Sequence, residues 1–425
     1  MTTGVQLTVA ANSATTIRLS GISNWYAVAA VALLLSSLIY FGHAEATGSY
    51  QTFNNPLKPS YFYFLTYALT GLYLAANREA FNRWRDYWPF FAAMTMMLAL
   101  HLWWMPFAGQ NSEQARIFVL RVNTLLMGIC LTIIIAQADN LKAIVRAVQV
   151  VMWGTALLNV AVVLMPGLFP VKMGVYAGRA AGLYWDPNQC ATFLAMALPL
   201  MCLGASHGMR LVHYGIVLVG IAFTFSREGI VLWLVAVTLD HVMLSNAAQG
   251  MATRLLRLMR VLLIVGLVAG LFLIFYQDII NALRPFLNTD TFSRLSGVDR
   301  GTTNERIRLM LYGWEAFAQQ PILGMGYGST HVWSHGLSVH NMFVLMLAEF
   351  GLVGFAAYCF MLGALLYQGT RIAVVIFAML VIQSVFTHSY FDLPYYLLLA
   401  ILYLRMSMEE RDRTLGRPHA GGLTW

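Results

Sequence analysis

Long apolar runs separated by short polar breaks dominate this chain. A helix needs roughly 20 apolar residues to cross the hydrocarbon core of a bilayer. Twelve apolar stretches are candidates for such spans, near 24–41, 61–76, 87–106, 117–137, 143–165, 189–206, 211–225, 228–244, 259–277, 340–367, 371–388 and 391–405. The seventh and eighth are parted only by Ser226, Arg227 and Glu228. One long polar segment, 278–339, parts the ninth from the tenth. The pattern predicts an all-α polytopic membrane protein, a single integral membrane domain over 1–425. Segment 278–339 is expected to carry short helices of its own, including an amphipathic one across Arg306–Gln319. Residues 406–425 are expected to form a polar, fraying tail. The chain has no obvious internal repeat and no low-complexity region.

Composition agrees with this pattern. Hydrophobic residues make up 59% of the chain and charged residues 10%, against about 25% charged in a soluble domain. That excludes an ordinary soluble enzyme. The net charge is +8, but in a membrane protein Lys and Arg mostly set topology, so nucleic-acid binding is not implied. Only Lys58, Lys142 and Lys172 are lysines; the rest of the 26 basic residues are arginines, whose planar fork binds phosphate bidentately. Cys130, Cys190, Cys202 and Cys359 lie in or beside apolar runs without a CxxC spacing, and read as buried free thiols. The first apolar run starts near Asn24 with no small-residue cleavage site clearly following it, so it reads as the first span.

Orientation follows from alternate loops. Most basic residues fall in one set: Arg18, Arg78, Arg83, Arg85, Lys142, Arg146, Arg210, Arg254, Arg257, Arg260, Arg371, Arg405, Arg411, Arg413 and Arg417. This set and both termini are expected in the cytoplasm. The loops carrying Arg179 and Arg227, and segment 278–339 with Arg284, Arg294, Arg300, Arg306 and Arg308, then face outward. Arginines on that side run against topology preference. A phosphate or diphosphate ligand would explain them, as would pairing with Asp186, Glu228, Asp278, Asp290, Asp299 or Glu305.

Three outward patterns carry these arginines: GRAAGLYWDPNQ at 178–189, TFSREG at 224–229 and NERIRLMLYGWEAFAQQPILGMGYG at 304–328. A fourth follows, VHNMFVLMLAEFGLVGF at 339–355, in which His340 and Asn341 begin an apolar helix. Histidine has an ordinary pKa of about 6.5 and can take a proton from a hydroxyl. A helix N-terminus disfavours its cation. Arginines suit stabilisation of a departing diphosphate. The chain has no DxD pair of the kind metal-dependent glycosyltransferases use, so arginine would stand where the metal stands in those enzymes.

In this order, the three arginine patterns followed by HN, nine residues and GLVG resemble the O-antigen ligase and polymerase superfamily, over roughly residues 175–360. The HN-to-GLVG stretch resembles the motif of its ligase branch, shared with oligosaccharyltransferases acting on pilins. The resemblance implies a GT-C-like, membrane-embedded, metal-independent and inverting glycosyltransferase of the bacterial inner membrane, with its site facing the periplasm. It implies a glycan on undecaprenyl diphosphate as donor, lipid A-core as acceptor, no cofactor and no nucleic-acid partner. By the same resemblance His340 is the catalytic base, and Arg179, Arg227, Arg306 and Arg308 bind the diphosphate. Where the family usually has a small residue after the SR pair, this chain has Glu228. Asn341, Gly351 and Gly354 would support the site, the glycines by letting helices approach closely. A polymerase or protein transferase of the same superfamily is the alternative, and a twelve-span transporter or flippase the reading from another class.

Other residues carry two readings each. Arg121, inside the fourth span, snorkels outward or lines the donor groove. His331 and His335 read first as solvated loop histidines. Tyr184, Trp185 and Trp333 read first as interfacial belt aromatics, and otherwise as sugar-stacking platforms. His388 and Asp392 would orient acceptor or cap a helix.

Overall fold

The structure is a computed structural model and describes residues 59–76, 86–106, 112–136, 141–165, 175–176, 179–184, 186–244, 259, 301–333, 338–387, 391 and 394–415. The described elements are α1 (Pro59–Ala76), α2 (Trp88–Trp103), α3 (Ser112–Ala136), α4 (Leu141–Leu164), a two-stranded hairpin of β1 (Val175–Tyr176) and β2 (Arg179–Ala180), α5 (Pro187–Cys202), α6 (His207–Ala222), α7 (Arg227–Leu239), α8 (Gly301–Gln319), α9 (Ser329–Val332), α10 (Met342–Leu365), α11 (Arg371–Phe386) and α12 (Pro394–Thr414). The expected spans at 24–41 and 259–277 lie outside the described residues, apart from Met259. So do residues 278–300 of segment 278–339. Among the described residues three helices, Gln114–Ala136, Leu141–Leu164 and Met342–Gln368, are long and apolar enough to cross a membrane. Together with the shorter apolar helices they make a membrane protein of the all-α class, with the short hairpin as its one departure among the described residues.

Two helices form the interior. From Cys190 to Cys202 every residue of α5 is buried, and from Tyr395 to Leu404 so is every residue of α12. A helix apolar on all faces belongs inside a bundle. α5 packs on α7, α6 and α4, and α12 on α3 and α11. Tyr403 in α12 donates to the carbonyl of Met196 at 2.7 Å, in the turn before Pro199. α10 lies between α2, α8 and α11.

Two expectations are corrected. The expected tail is helical as far as Thr414 and packed, because Met406, Ser407, Met408 and Glu409 are buried. Its charges pair on the protein: Arg371 with Glu410 at 2.7 Å and Arg405 with Glu409 at 3.2 Å. The tenth span is broken as well. Gly351 has φ 63° and ψ −156°, so α10 is two helical pieces joined at one non-helical residue. Of the thiols, Cys190 and Cys202 are buried, Cys130 is half-buried and Cys359 is exposed.

Candidate active site

The TFSREG stretch is the tight turn between α6 and α7. Thr224 Oγ1 donates to the carbonyl of Ile221 at 2.6 Å and accepts from the amide of Ser226 at 3.2 Å. Ser226 caps α7 by accepting from the amide of Gly229 at 3.1 Å, as N-cap serines do. Phe225 reverses the chain with φ 51°, a conformation that costs a bulky residue on the order of 1–3 kcal/mol. Gly229 is required by packing, since a Cβ there would stand 2.3 Å from that of Ala191. The turn leaves Arg227 as the first residue of α7, exposed, with Glu228 half-buried behind it.

The hairpin with Arg179 braces this turn. Ala180 donates its amide to the carbonyl of Phe223 at 3.0 Å, and Arg179 Nε donates to that of Thr224 at 2.7 Å. These carbonyls end α6, where helical partners run out. Arg179 also donates to Asn188 Oδ1 at 2.8 Å and is 7% exposed. Asp186 caps α5 through the amides of Asn188 and Gln189. Arg179 therefore ties the GRAA, DPNQ and TFSREG stretches into one platform.

The PILGMG stretch after α8 runs along the break in α10 as a strap. Met325 and Gly326 donate their amides to the carbonyls of Ala348 and Glu349 at 2.8 and 3.1 Å. Leu352 and Val353 in turn donate to Pro321 and Ile322 at 2.8 and 3.3 Å. The strap takes up helical groups that the break releases, which is why a polar backbone can be interrupted there.

His340 and Asn341 stand at the start of α10. The Asn341 side chain caps the helix, accepting from the amide of Val344 at 3.0 Å, and donates to the carbonyl of Val385 at the end of α11 at 3.3 Å. With its cap and tether fixed, Asn341 holds His340 at the helix mouth. α8 lies over this mouth: a Cβ at Gly313 would stand 2.8 Å from Val344 and 2.9 Å from Val339. Arg306 is two turns before Gly313, on the same helix face. Arg306 interacts electrostatically with both His340 and Glu228. Burial first, then the charge of Arg306 and the neighbouring His331, pushes His340 down from the usual histidine value to about 4.

The structure thus brings His340, Arg306, Glu228 and the Arg179 platform into electrostatic reach of one another, with exposed Arg227 on the adjoining turn. Arg308 is exposed too, but lies two positions from Arg306, and residues so spaced do not share a helix face. The other side of α8 exposes Ile307, Leu311 and Trp314, so the expected amphipathic helix is present.

A network absent from the sequence reading lies behind His340. Arg121, fully buried, donates to Glu349 Oε2 at 2.8 Å. Its guanidinium lies 5.3 Å from the centre of the Tyr327 ring and 3.0 Å from His331 Nε2. Glu349 Oε1 accepts from Thr330 at 2.6 Å, and Thr330 is 3.0 Å from Ser338 Oγ. Arg121 neither snorkels nor lines a groove, and His331 is not a solvated loop residue. The signal for Glu349 was present in the sequence: a carboxylate inside an apolar run requires a cation.

Tyr184 is buried, stacked among Phe193 and Tyr395, so it is a core residue rather than an interfacial one. Trp333 packs edge-on to Tyr312. Trp185, His335, His388 and Asp392 lie outside the described residues. Among the described residues no three His, Cys, Asp or Glu cluster as a metal ion would need.

No curated protein matches the chain. Residues 214–359, which span the TFSREG turn, α8, the strap, His340 and the break at Gly351, match the family model for O-antigen ligase, and the match supports membership of the O-antigen ligase superfamily.

Proposed function

We propose that the chain is an O-antigen ligase of the bacterial inner membrane. It transfers a preassembled glycan from undecaprenyl diphosphate to a sugar hydroxyl of lipid A-core at the periplasmic face. The family match supports glycosyl transfer at the level of O-antigen ligases and polymerases. The observation that carries the finer reading is that Arg306 on α8 lies in electrostatic reach of His340 at the mouth of α10.

In this reading a neutral His340 takes the proton of the acceptor hydroxyl. The acceptor oxygen bonds to the anomeric carbon from the face opposite the diphosphate, and the carbon–oxygen bond to the diphosphate breaks with inversion. The electron pair leaves on the diphosphate, held by Arg227 and Arg306, with Arg308 at the edge of the site. Charge-assisted arginine–phosphate bonds strengthen as that charge develops. Arg179 serves mainly as the bracket that aims the Arg227 turn. Arginine supplies the stabilisation that a metal supplies elsewhere.

The donor also switches on the base. Arg306 is among the charges that hold His340 low, and an anionic diphosphate beside it offsets that charge. Donor binding thus relieves the Arg306 part of that depression, burial being the larger part.

The experiment is a transfer assay with purified, reconstituted protein, undecaprenyl-diphosphate-linked glycan and lipid A-core, with EDTA present. Glycan on lipid A-core is the expected product, and its loss in His340→Ala completes the assignment. Longer lipid-linked glycan alone would instead make the enzyme a polymerase, and modification of a pilin alone a protein transferase.

A further inference from the structure

Glu228 is a carboxyl group that the turn around it does not need. Ser226 caps α7, Gly229 packs against Ala191 and Arg179 holds the carbonyl of Thr224, each without its help. Yet Glu228 sets its carboxyl against α5, where Oε1 accepts from the buried Thr192 at 3.4 Å. That is a long hydrogen bond. Among the described residues no cation stands within ion-pair distance of Glu228. Glu349 shows what a buried, charged glutamate requires: a guanidinium at 2.8 Å and a hydroxyl at 2.6 Å. Ionisable groups face Glu228 at longer range from several elements. Arg306 comes from α8, Asp186 from the cap of α5 and Arg179 from the hairpin. Tyr396 faces it from α12, and Arg227 precedes it on the same turn. The outer ends of α6 and α11, residues 218–222 and 380–386, carry no titratable side chain. The α7 N-terminus and the arginines favour the carboxylate, while burial and Asp186 favour the acid. Burial is the largest of these, and the carboxyl is pushed up to about 8. Glu228 therefore keeps its proton at neutral pH. Oε1 takes the Thr192 hydroxyl, so the proton sits on Oε2, which has no hydrogen bond among the described residues.

We propose that Glu228 is a further binding residue for the leaving group: as a neutral carboxylic acid it donates a hydrogen bond from Oε2 to an oxygen of the donor's diphosphate beside Arg306. Arg306 interacts with Glu228 and with His340 alike, so a diphosphate held by that arginine lies next to both. A carboxylate there would repel the ligand; the acid binds it, and the ligand's negative charge holds the acid's proton more firmly in place. A hydrogen bond to an anion strengthens as the electron pair arrives on it. The proton stays on Glu228 throughout, and the acceptor's proton still goes to His340, so the balance of the transfer step is unchanged. The inference rests on the glycosyl-transfer reading above.

The test follows that proton. Full-length wild-type protein, Glu228→Gln and Glu228→Ala are reconstituted, and kcat/KM for the lipid-linked donor is measured from neutral pH upward, beside the unfolding temperature of each. The acid is the working form, so wild-type kcat/KM should hold steady near neutral pH and fall as the pH rises through about 8. Glutamine keeps an N–H donor and does not ionise, so it should work close to the wild-type rate near neutral pH and lack the alkaline fall. Alanine gives up the donor and should lower kcat/KM roughly tenfold, also without the fall. Wild-type kcat/KM that stays level or rises through that range overturns the inference without any variant. A glutamine variant as slow as the alanine variant overturns it, as does one that keeps the wild-type fall. Lower unfolding temperatures in both variants with kcat/KM unchanged would make Glu228 a first-turn support of α7 and overturn it too. Wild-type protein that transfers no glycan removes the enzyme reading itself, a result recognisable before any variant is compared.

Discussion

Gly324 and Gly351 interlock, each backbone occupying the space where the other's neighbourhood would receive a side chain. A Cβ on Gly324 would stand 2.4 Å from the Glu349 carbonyl carbon and from the Phe350 nitrogen. A Cβ on Gly351 would stand 2.3 Å from the Ile322 oxygen and 2.7 Å from the Gly324 nitrogen. Both glycines also have positive φ, 73° and 63°, where other residues are strained. The break in α10 and the strap therefore need each other.

Gly351→Ala should accordingly destabilise the protein and misplace His340. Left-handed strain alone costs on the order of 1–3 kcal/mol, and the backbone clash adds to it. Gly354→Ala should behave similarly, because the break folds the Phe350 Cβ to 2.1 Å from the new methyl. Gly363, on the same helix, has nothing within 4 Å of a Cβ, and its alanine variant should stay within about 1 kcal/mol of wild type. Thermal unfolding of the detergent-solubilised variants measures all three. A Gly351 variant as stable as the Gly363 variant would falsify the interlock.

Acid should silence the free enzyme late and the loaded enzyme early. His340 must be neutral to accept a proton, and in the free protein it is held down to about 4. kcat/KM, which reports the free enzyme, should hold steady from neutral pH downward and fall as the pH drops through about 4. kcat reports the donor-bound enzyme, and its acid limb should lie higher, because diphosphate offsets Arg306. Burial is the larger cause, but Arg306→Gln removes a positive charge that also depresses His340, so the kcat/KM limb should move up. Transfer rates over a pH series, for wild type and Arg306→Gln, give both limbs. A kcat limb at or below that of kcat/KM would disconnect the donor from the base.

Much of this site was legible in the chain because its parts are local. Ser226 before Arg227, Asn341 before Met342 and the glycines of PILGMG and GLVG encode caps and turns through neighbouring residues. The helices were legible because apolar runs in a membrane protein have a required length. What the sequence withheld depends on distant partners. Arg179 reads as a ligand until Thr224 and Asn188 claim its guanidinium. Arg121 reads as a groove residue until Glu349, 228 positions away, meets it. The break in α10 was hidden for the same reason. Gly351 in an apolar run looks like a helix-packing glycine, and only the strap from before α9 gives its neighbours the alternative partners that make a break affordable.

The arginines should separate by position. Arg227→Ala and Arg306→Ala should each lower kcat/KM for donor roughly 10- to 100-fold, the range for losing a charge-assisted bond. Lysine at either position should recover part of the loss, as a point charge without the fork. Arg308→Ala should cost less than either, since its side of α8 faces away from Arg306. Arg179→Ala should lower stability along with activity, because three segments lose their common brace. Initial rates against donor concentration, set beside unfolding temperatures, distinguish ligand from bracket. Unchanged donor dependence in Arg227→Ala or Arg306→Ala would return that arginine to a structural role.

Arg121 and Glu349 should be far more costly to break singly than together. Removing one partner of a buried pair strands the other's charge and typically costs about 3–5 kcal/mol. Arg121→Met leaves the Glu349 carboxylate without its guanidinium, and Glu349→Gln leaves Arg121 facing Tyr327, His331 and a neutral amide. The double variant Arg121→Met with Glu349→Gln removes the ion pair as a unit, so its stability should lie well above the sum of the two losses. Its activity should nevertheless remain low, because His331, 3.0 Å from Arg121 Nη2 and in electrostatic reach of His340, loses that contact. Unfolding temperatures and transfer rates for the two single variants and the double variant form the cycle. Stability and activity recovering together in the double variant would mean that the network serves only to fill the bundle; stability recovering alone would tie the buried pair to the chemistry at His340.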